Sequence, residues 1–165
     1  MENKAISNTG PIIHLTEINL INSLNIFSGV SIPKEVAQEL SKYHISLPKK
    51  IKIEELNQSS KDTVKVLTNQ HDLDFGEACA IALALQEKAI CFLTDDLDAR
   101  KVSKKYGLEV HGTVGIILRA FREKIIDKKT AIKKINEIHS ISSLFITKDL
   151  INSILKAIED FKNSS

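Results

Sequence analysis

Acidic and amide side chains stand at four places where a strand end or a neighbouring helix would carry them to one edge of a sheet. They are Asn8, Glu39, Glu77 and the group Asp95, Asp96 and Asp98. The last group follows Ile90 to Leu93, a short run apolar on both parities, which reads as a strand buried on both faces. Its acids then fall just past the carboxyl end of that strand, where open α/β sheets bind ligands. Several carboxylates gathered at one point repel one another unless a cation sits among them. Oxygen donors without histidine or cysteine suit Mg²⁺ or Mn²⁺ rather than zinc. Such a centre hydrolyses phosphodiesters, because the cation acidifies a water, aligns it and neutralises the departing oxyanion. Each residue also has a plainer use. Asp95, Asp96 and Asp98 suit the first turn of a helix, Asp74 and Glu77 form a capping-box pattern, Glu39 suits a solvated helix face, and Asn8 suits a cap. The order and placement of the whole set favour the chemistry.

These residues must be positioned by alternating strands and helices. Lys4 to Ser7 reads as a first strand, and Pro11 suits the first turn of the helix after it. Leu20 to Phe27 reads as a short helical piece, Val30 to Ile32 as a strand, and the stretch after Pro33 as a helix with Val36, Ala37 and Leu40 inward. Ile51 to Leu56 suits an edge strand and Lys61 to Gln70 a helix with Val64, Val66 and Leu67 inward. The segment after Asp74 is apolar nearly all round, so it should be central and buried. A helix from Asp96 to Tyr106 ends at Gly107. Leu108 to His111 is a further strand, and Gly112-Thr113 opens the helix Val114 to Glu123. Strand-then-helix repetition implies a parallel sheet. Two amphipathic helices, Asp127 to His139 and Asp149 to Phe161, form a tail whose last four residues should fray.

Composition adds bounds. A chain of 165 residues with 42% apolar and 27% charged residues suits one soluble domain. The net charge of +2 is too small to argue for nucleic acid or a membrane, so such a partner must be read from local clusters. Cys79 and Cys91 lie in apolar segments and read as buried free thiols; neither a disulfide nor a zinc site has the sequence spacing it would need. No apolar run approaches the roughly 18 residues of a membrane span, and the expectation is a cytoplasmic protein.

The segments S-N-T-G-P-I-I-H-L, I-P-K-E-V-A-Q-E-L, L-D-F-G-E-A-C-A-I-A-L-A, L-T-D-D-L-D-A-R and H-G-T-V-G-I-I-L together resemble the PIN-domain superfamily. Within it they look like a poorly characterised prokaryotic subgroup with G-E-A and D-D-x-x-A-R patterns. The resemblance implies a three-layer α/β/α sandwich around a short parallel sheet, spanning residues 1–126, with 127–165 as a helical extension packed on the same domain. It implies a Mg²⁺- or Mn²⁺-dependent ribonuclease, of the kind found as the toxin of toxin–antitoxin pairs, with an antitoxin-like partner and a homodimer. Carried over by position, Glu39, Glu77 and Asp96 match the second, third and fourth acids and would be catalytic. With Asn8 they would hold the metal, Asp95 and Asp98 being accessory. Thr94 matches a hydroxyl that often precedes the fourth acid. Active members end the first strand in aspartate, whereas this chain has Asn8, which offers a carbonyl oxygen but no charge.

RNA requires cations beside the acids. Arg100, Lys101, Lys104 and Lys105 recur at helical spacing after Asp96 and suit flanking phosphates; a solvated basic face is the plainer use. His111 ends a strand near the same edge, in reach of substrate there; an ordinary hydrogen-bonded histidine is the commoner use. With aromatics at 5%, base stacking should not dominate recognition. The competing reading is a PIN-like module that binds RNA or protein with weakened or lost chemistry, and Asn8 favours it. A phospho-aspartate enzyme or receiver is disfavoured, because the last strand ends in His111-Gly112 rather than in lysine.

Overall fold

The computed structural model describes residues 3–161. Its centre is a five-stranded sheet, all neighbours parallel, in the order β3-β2-β1-β4-β5. The strands are β1 (Lys4–Ser7), β2 (Gly29–Pro33), β3 (Ile51–Glu54), β4 (Cys91–Leu93) and β5 (Glu109–His111). Ala5, Ile6 and Ser7 of β1 are wholly buried, as are Phe92 and Leu93 of β4. Burial on both faces explains why these short runs show no apolar/polar alternation.

The helices are α1 (Thr9–Glu17), α2 (Lys34–Ser41), α3 (Gln58–Gln70), α4 (Phe75–Gln86), α5 (Leu97–Lys105), α6 (Thr113–Arg122), α7 (Lys128–Ser140) and α8 (Lys148–Asp160), with a 3₁₀ segment at Ile21–Ile26. Helix α4 packs on β1, β2 and β4 and also against α2, α3 and α5. That central place accounts for its continuous buried run from Ala78 to Ala84. Helices α1, the 3₁₀ segment and α6 pack together, and α7 and α8 continue from α6. The sheet is thus covered on both sides, the α/β layering expected.

The tail joins the same core. Ile135, Ile138, Ile151, Ile154 and Ile158 belong to one buried cluster with the sheet residues. Asp127 and Thr147 cap α7 and α8 by accepting from the Thr130 and Leu150 amides.

Some boundaries differ from expectation. Ile90 is 41% exposed and precedes β4, because strand pairing starts only at Cys91, opposite Ala5. Val66 is exposed on α3 while Val64 and Leu67 face inward, and that helix starts earlier, capped by Asn57. Gly107 ends α5 at φ +80°, a conformation other residues rarely adopt. The fraying expected of the last four residues falls outside the described residues. Among the described residues, no helix is long and apolar enough to cross a membrane.

Candidate metal and nucleic-acid site

Strand order reverses around β1, with β2 on one side and β4 on the other. The crevice beyond the carboxyl ends of β1 and β4 is therefore the topological switch point, where such folds hold ligands. Ser7 pairs with Leu93, and the Asn8 amide continues the ladder by donating to the Leu93 carbonyl at 2.8 Å. Asn8 and Thr94 are consequently neighbours at this edge. Asn8 occupies the N-cap position of α1 but makes no side-chain capping bond. Its Nδ2 donates instead to Thr94 Oγ1 at 3.4 Å. The fully buried Thr94 hydroxyl also accepts from the Asp96 amide at 3.2 Å.

Three carboxylates reach this region from three helices. Glu39, near the end of α2, accepts a 2.8 Å bond from the Thr9 hydroxyl through Oε2. The same oxygen lies 3.0 Å from where a Cβ on Gly76 would stand, so α2 and the start of α4 meet here. Glu77 and Asp74 make the complete capping box: Glu77 Oε2 accepts from the Asp74 amide, and Asp74 Oδ1 from the Glu77 amide. Asp96 caps α5 through Oδ1, which accepts from the Ala99 amide at 2.8 Å. Each carboxylate thus spends one oxygen on a local bond, and its second oxygen has no hydrogen-bond partner among the described residues. The plain capping roles are real and leave half of each group free.

Glu39 and Asp96 lie near enough to Glu77 for their charges to act on it. Burial first, and then the negative charges of Asp74, Asp96 and Glu39, push the Glu77 carboxyl up to about 7 against a relieving bond from the Asp74 amide. A proton near neutrality is what an anionic cluster takes up when no cation balances it. The oxygens of Glu39, Glu77 and Asp96 do not all lie within 4.8 Å of one another; among the described residues the group that does is Cys91, Glu109 and His111. Mg²⁺ keeps several of its waters and needs only one or two direct carboxylates, so an ion of that kind does not require all three in direct contact.

Asp95 behaves differently. Its Oδ1 accepts from the Thr113 amide at 2.7 Å, and its Oδ2 takes the Thr113 hydroxyl and lies 2.6 Å from His14 Nδ1. These bonds hold its carboxyl below the usual range in spite of its burial. Asp95 thereby ties the end of β4 to the start of α6 and to α1. Asp98 is exposed in the first turn of α5.

Of the basic candidates, Arg100 is drawn to the edge. Its guanidinium lies 3.4 Å from where a Cβ on Gly112 would stand, beside Asp95. Lys101 is exposed one residue on, and Lys104 and Lys105 are carried to the last turn of α5. At 1.5 Å per residue that is roughly 6–8 Å farther along the helix than Arg100. The His111 ring turns back along its strand, with Nε2 2.8 Å from Glu109 and the ring edge-on to Phe27.

Sequence reasoning missed Thr9, which orients Glu39, and His14, which braces Asp95; only tertiary contact reveals either role. It also passed over Glu35, one turn before Glu39 on the same face of α2, whose buried Oε2 has no partner among the described residues. The i, i+4 spacing was the available signal. Phe75 and Leu97, exposed at 62% and 70%, open α4 and α5 and form an apolar rim beside the acids.

A family described as the PIN domain matches residues 4–160, including the two tail helices. No curated protein matches the chain. PIN domains typically use divalent metals, and nuclease chemistry is the activity the fold suggests. With a match over almost its whole length and a five-stranded parallel sheet covered by helices on both sides, the chain belongs to the PIN-domain family.

Proposed function

We propose that this protein is a Mg²⁺- or Mn²⁺-dependent ribonuclease. What supports the reading is the nearness of Glu39 and Asp96 to Glu77, whose carboxyl is pushed up to about 7 by burial and by the charges of Asp74, Asp96 and Glu39. All-oxygen donors with one uncommitted oxygen each fit a hard divalent ion, which when bound supplies an acidified water and a counter-charge for the leaving oxygen. Glu39, Glu77 and Asp96 would hold it, with the Asn8 carbonyl as a neutral fourth donor. Thr9 and Thr94 orient two of these groups. Arg100 stands at the same edge with a charge for a flanking phosphate, and Phe75 and Leu97 give the rim an apolar surface for bases. Asp98 and Lys101 lie further out on α5. An antitoxin-like partner and a homodimer belong to this reading too, and exposed Ile141, Phe145 and Leu150 on the tail supply surface for either.

A second reading is favoured by Asn8: with one charge fewer, the protein binds RNA without cutting it. Incubation with single-stranded and structured RNA across a Mn²⁺ titration separates the two. Metal-dependent cleavage that Glu39→Gln and Asp96→Asn abolish, and that Asn8→Asp strengthens about tenfold, supports the nuclease. RNA retained intact by both wild type and Asn8→Asp at every metal concentration supports the binding module.

A further inference from the structure

A second cluster of ligand-type side chains lies across the pair β4 and β5. Cys91 pairs directly with Glu109, and Leu93 with His111. Because side chains alternate along a strand, Glu109 and His111 project from the same face of β5, and Cys91 projects beside them from β4. One ligand atom from each lies within 4.8 Å of the others. His111 Nε2 already contacts a Glu109 oxygen at 2.8 Å. The Cys91 thiol is buried and free, Glu109 is well exposed, and His111 lies between them. The cluster therefore has a protected sulfur and an open side toward solvent.

We propose that Cys91, Glu109 and His111 form a binding site for one thiophilic divalent cation, Zn²⁺ by preference, separate from the carboxylate edge. One thiolate, one imidazole and one carboxylate are a normal zinc set, and three protein ligands leave a fourth position for water. Hard ions such as Mg²⁺ are disfavoured by the sulfur. Two anionic ligands neutralise the ion's charge. Arg119, which bears on the Cys91 thiol, has other anchors: its Nε bonds Glu123 at 3.0 Å and its guanidinium stacks 5.2 Å over Phe27. It can release the sulfur without losing its own partners. Asn3 Oδ1, 3.5 Å from Cys91 Sγ, is the other group the metal would displace or recruit. An ion here cross-links the edge strand β5 to β4 on the face that meets Phe27 and Arg119.

The test uses the full chain, stripped with chelator and titrated with Co²⁺ and then Zn²⁺. The expected result is a near-ultraviolet thiolate-to-cobalt band that saturates at one equivalent, is displaced by Zn²⁺, and persists in Cys79→Ser and Asp96→Asn. Cys91→Ser should abolish the band and His111→Gln should weaken Zn²⁺ binding at least tenfold. The His111→Gln variant keeps the test decisive if Cys91→Ser fails to fold. Absence of the band in wild type, its loss in Cys79→Ser, or unchanged Zn²⁺ affinity in His111→Gln would overturn the proposal. Neither result depends on whether the protein cuts RNA.

Discussion

Asp95 and Asp96 are adjacent in the chain and opposite in use. Asp95 has both oxygens engaged by Thr113 and His14, and its carboxyl is held below the usual range. Asp96 is exposed, gives one oxygen to the Ala99 amide, and adds its charge to a neighbouring acid that is pushed up to about 7. A carboxylate whose bonds are complete is structural cement. One whose bonds are half complete beside other anions is available to a cation or a proton. The same contrast separates the β4–α6 junction from the crevice beside it, and it can be broken by substitution.

The largest effect should come at the junction. Asp95→Ala leaves the Thr113 amide and hydroxyl and the His14 ring without their acceptor. Each buried donor left without its acceptor costs about 1–3 kcal/mol, which urea unfolding at neutral pH should register. The sign with pH follows from the lowered value. The stability contributed by Asp95 is present above the ordinary aspartate range and is lost as pH falls through its depressed folded value. The gap between wild type and Asp95→Ala should narrow only in strong acid. A gap of under 1 kcal/mol would mean the junction is not held by this carboxylate.

Next comes the crevice. Glu39→Gln and Asp96→Asn should lower Mn²⁺-dependent cleavage by about 100-fold or more, since even partners that only orient a metal ligand cost about 10–100-fold. Their stability should change by less than 1 kcal/mol, because Gln and Asn still accept the Thr9 and Ala99 bonds. Asp95→Ala should show the reverse ratio of stability loss to activity loss. If both acids behaved alike in both assays, the distinction between them would disappear.

Glu77 gives a smaller, pH-dependent effect. Its folded value of about 7 exceeds the ordinary 4.5, so folding takes up a proton, and its favourable contribution is lost as pH rises through 7. Glutamine keeps the capping box but carries no charge. Glu77→Gln should therefore be more stable than wild type at pH 8, by on the order of 1 kcal/mol after solvent screening, and no more stable at pH 4. Saturating Mg²⁺ should erase the advantage at pH 8 by stabilising the wild type. Thermal melts across pH, with and without Mg²⁺, read this directly.

How much of this was legible in the sequence depended on the range of the interaction. The Asp74–Glu77 box, the Gly107 stop and the all-round apolar helix α4 are local patterns, and the structure repeats them. The parallel sheet was legible because strands and helices alternate. What Asp95 does was not, since its partners lie 18 and 81 residues away. The cluster of Cys91, Glu109 and His111 escaped for the same reason: no ligand spacing shows when the ligands come from two strands joined only by register.

The finest test of the contrast uses one substitution at two glycines. A Cβ at Gly112 would stand 2.8 Å from Asp95 Oδ1 and 3.4 Å from the Thr94 carbonyl. Asp95 is pinned by Thr113 and His14, so neither neighbour can yield cheaply, and Gly112→Ala should cost about 1–3 kcal/mol by overpacking. A Cβ at Gly76 would stand 3.0 Å from Glu39 Oε2, the end of a half-buried side chain held by one hydroxyl. That carboxylate can swing, and alanine favours the helix over glycine by up to about 1 kcal/mol. Gly76→Ala should therefore leave stability within about 1 kcal/mol of wild type while weakening Mn²⁺ binding several-fold, because the group that moves is a proposed ligand. Melts and a Mn²⁺ titration of the two variants side by side decide it. Equal destabilisation would mean that Glu39 is as firmly fixed as Asp95, and the freedom ascribed to the crevice carboxylates would have to be given up.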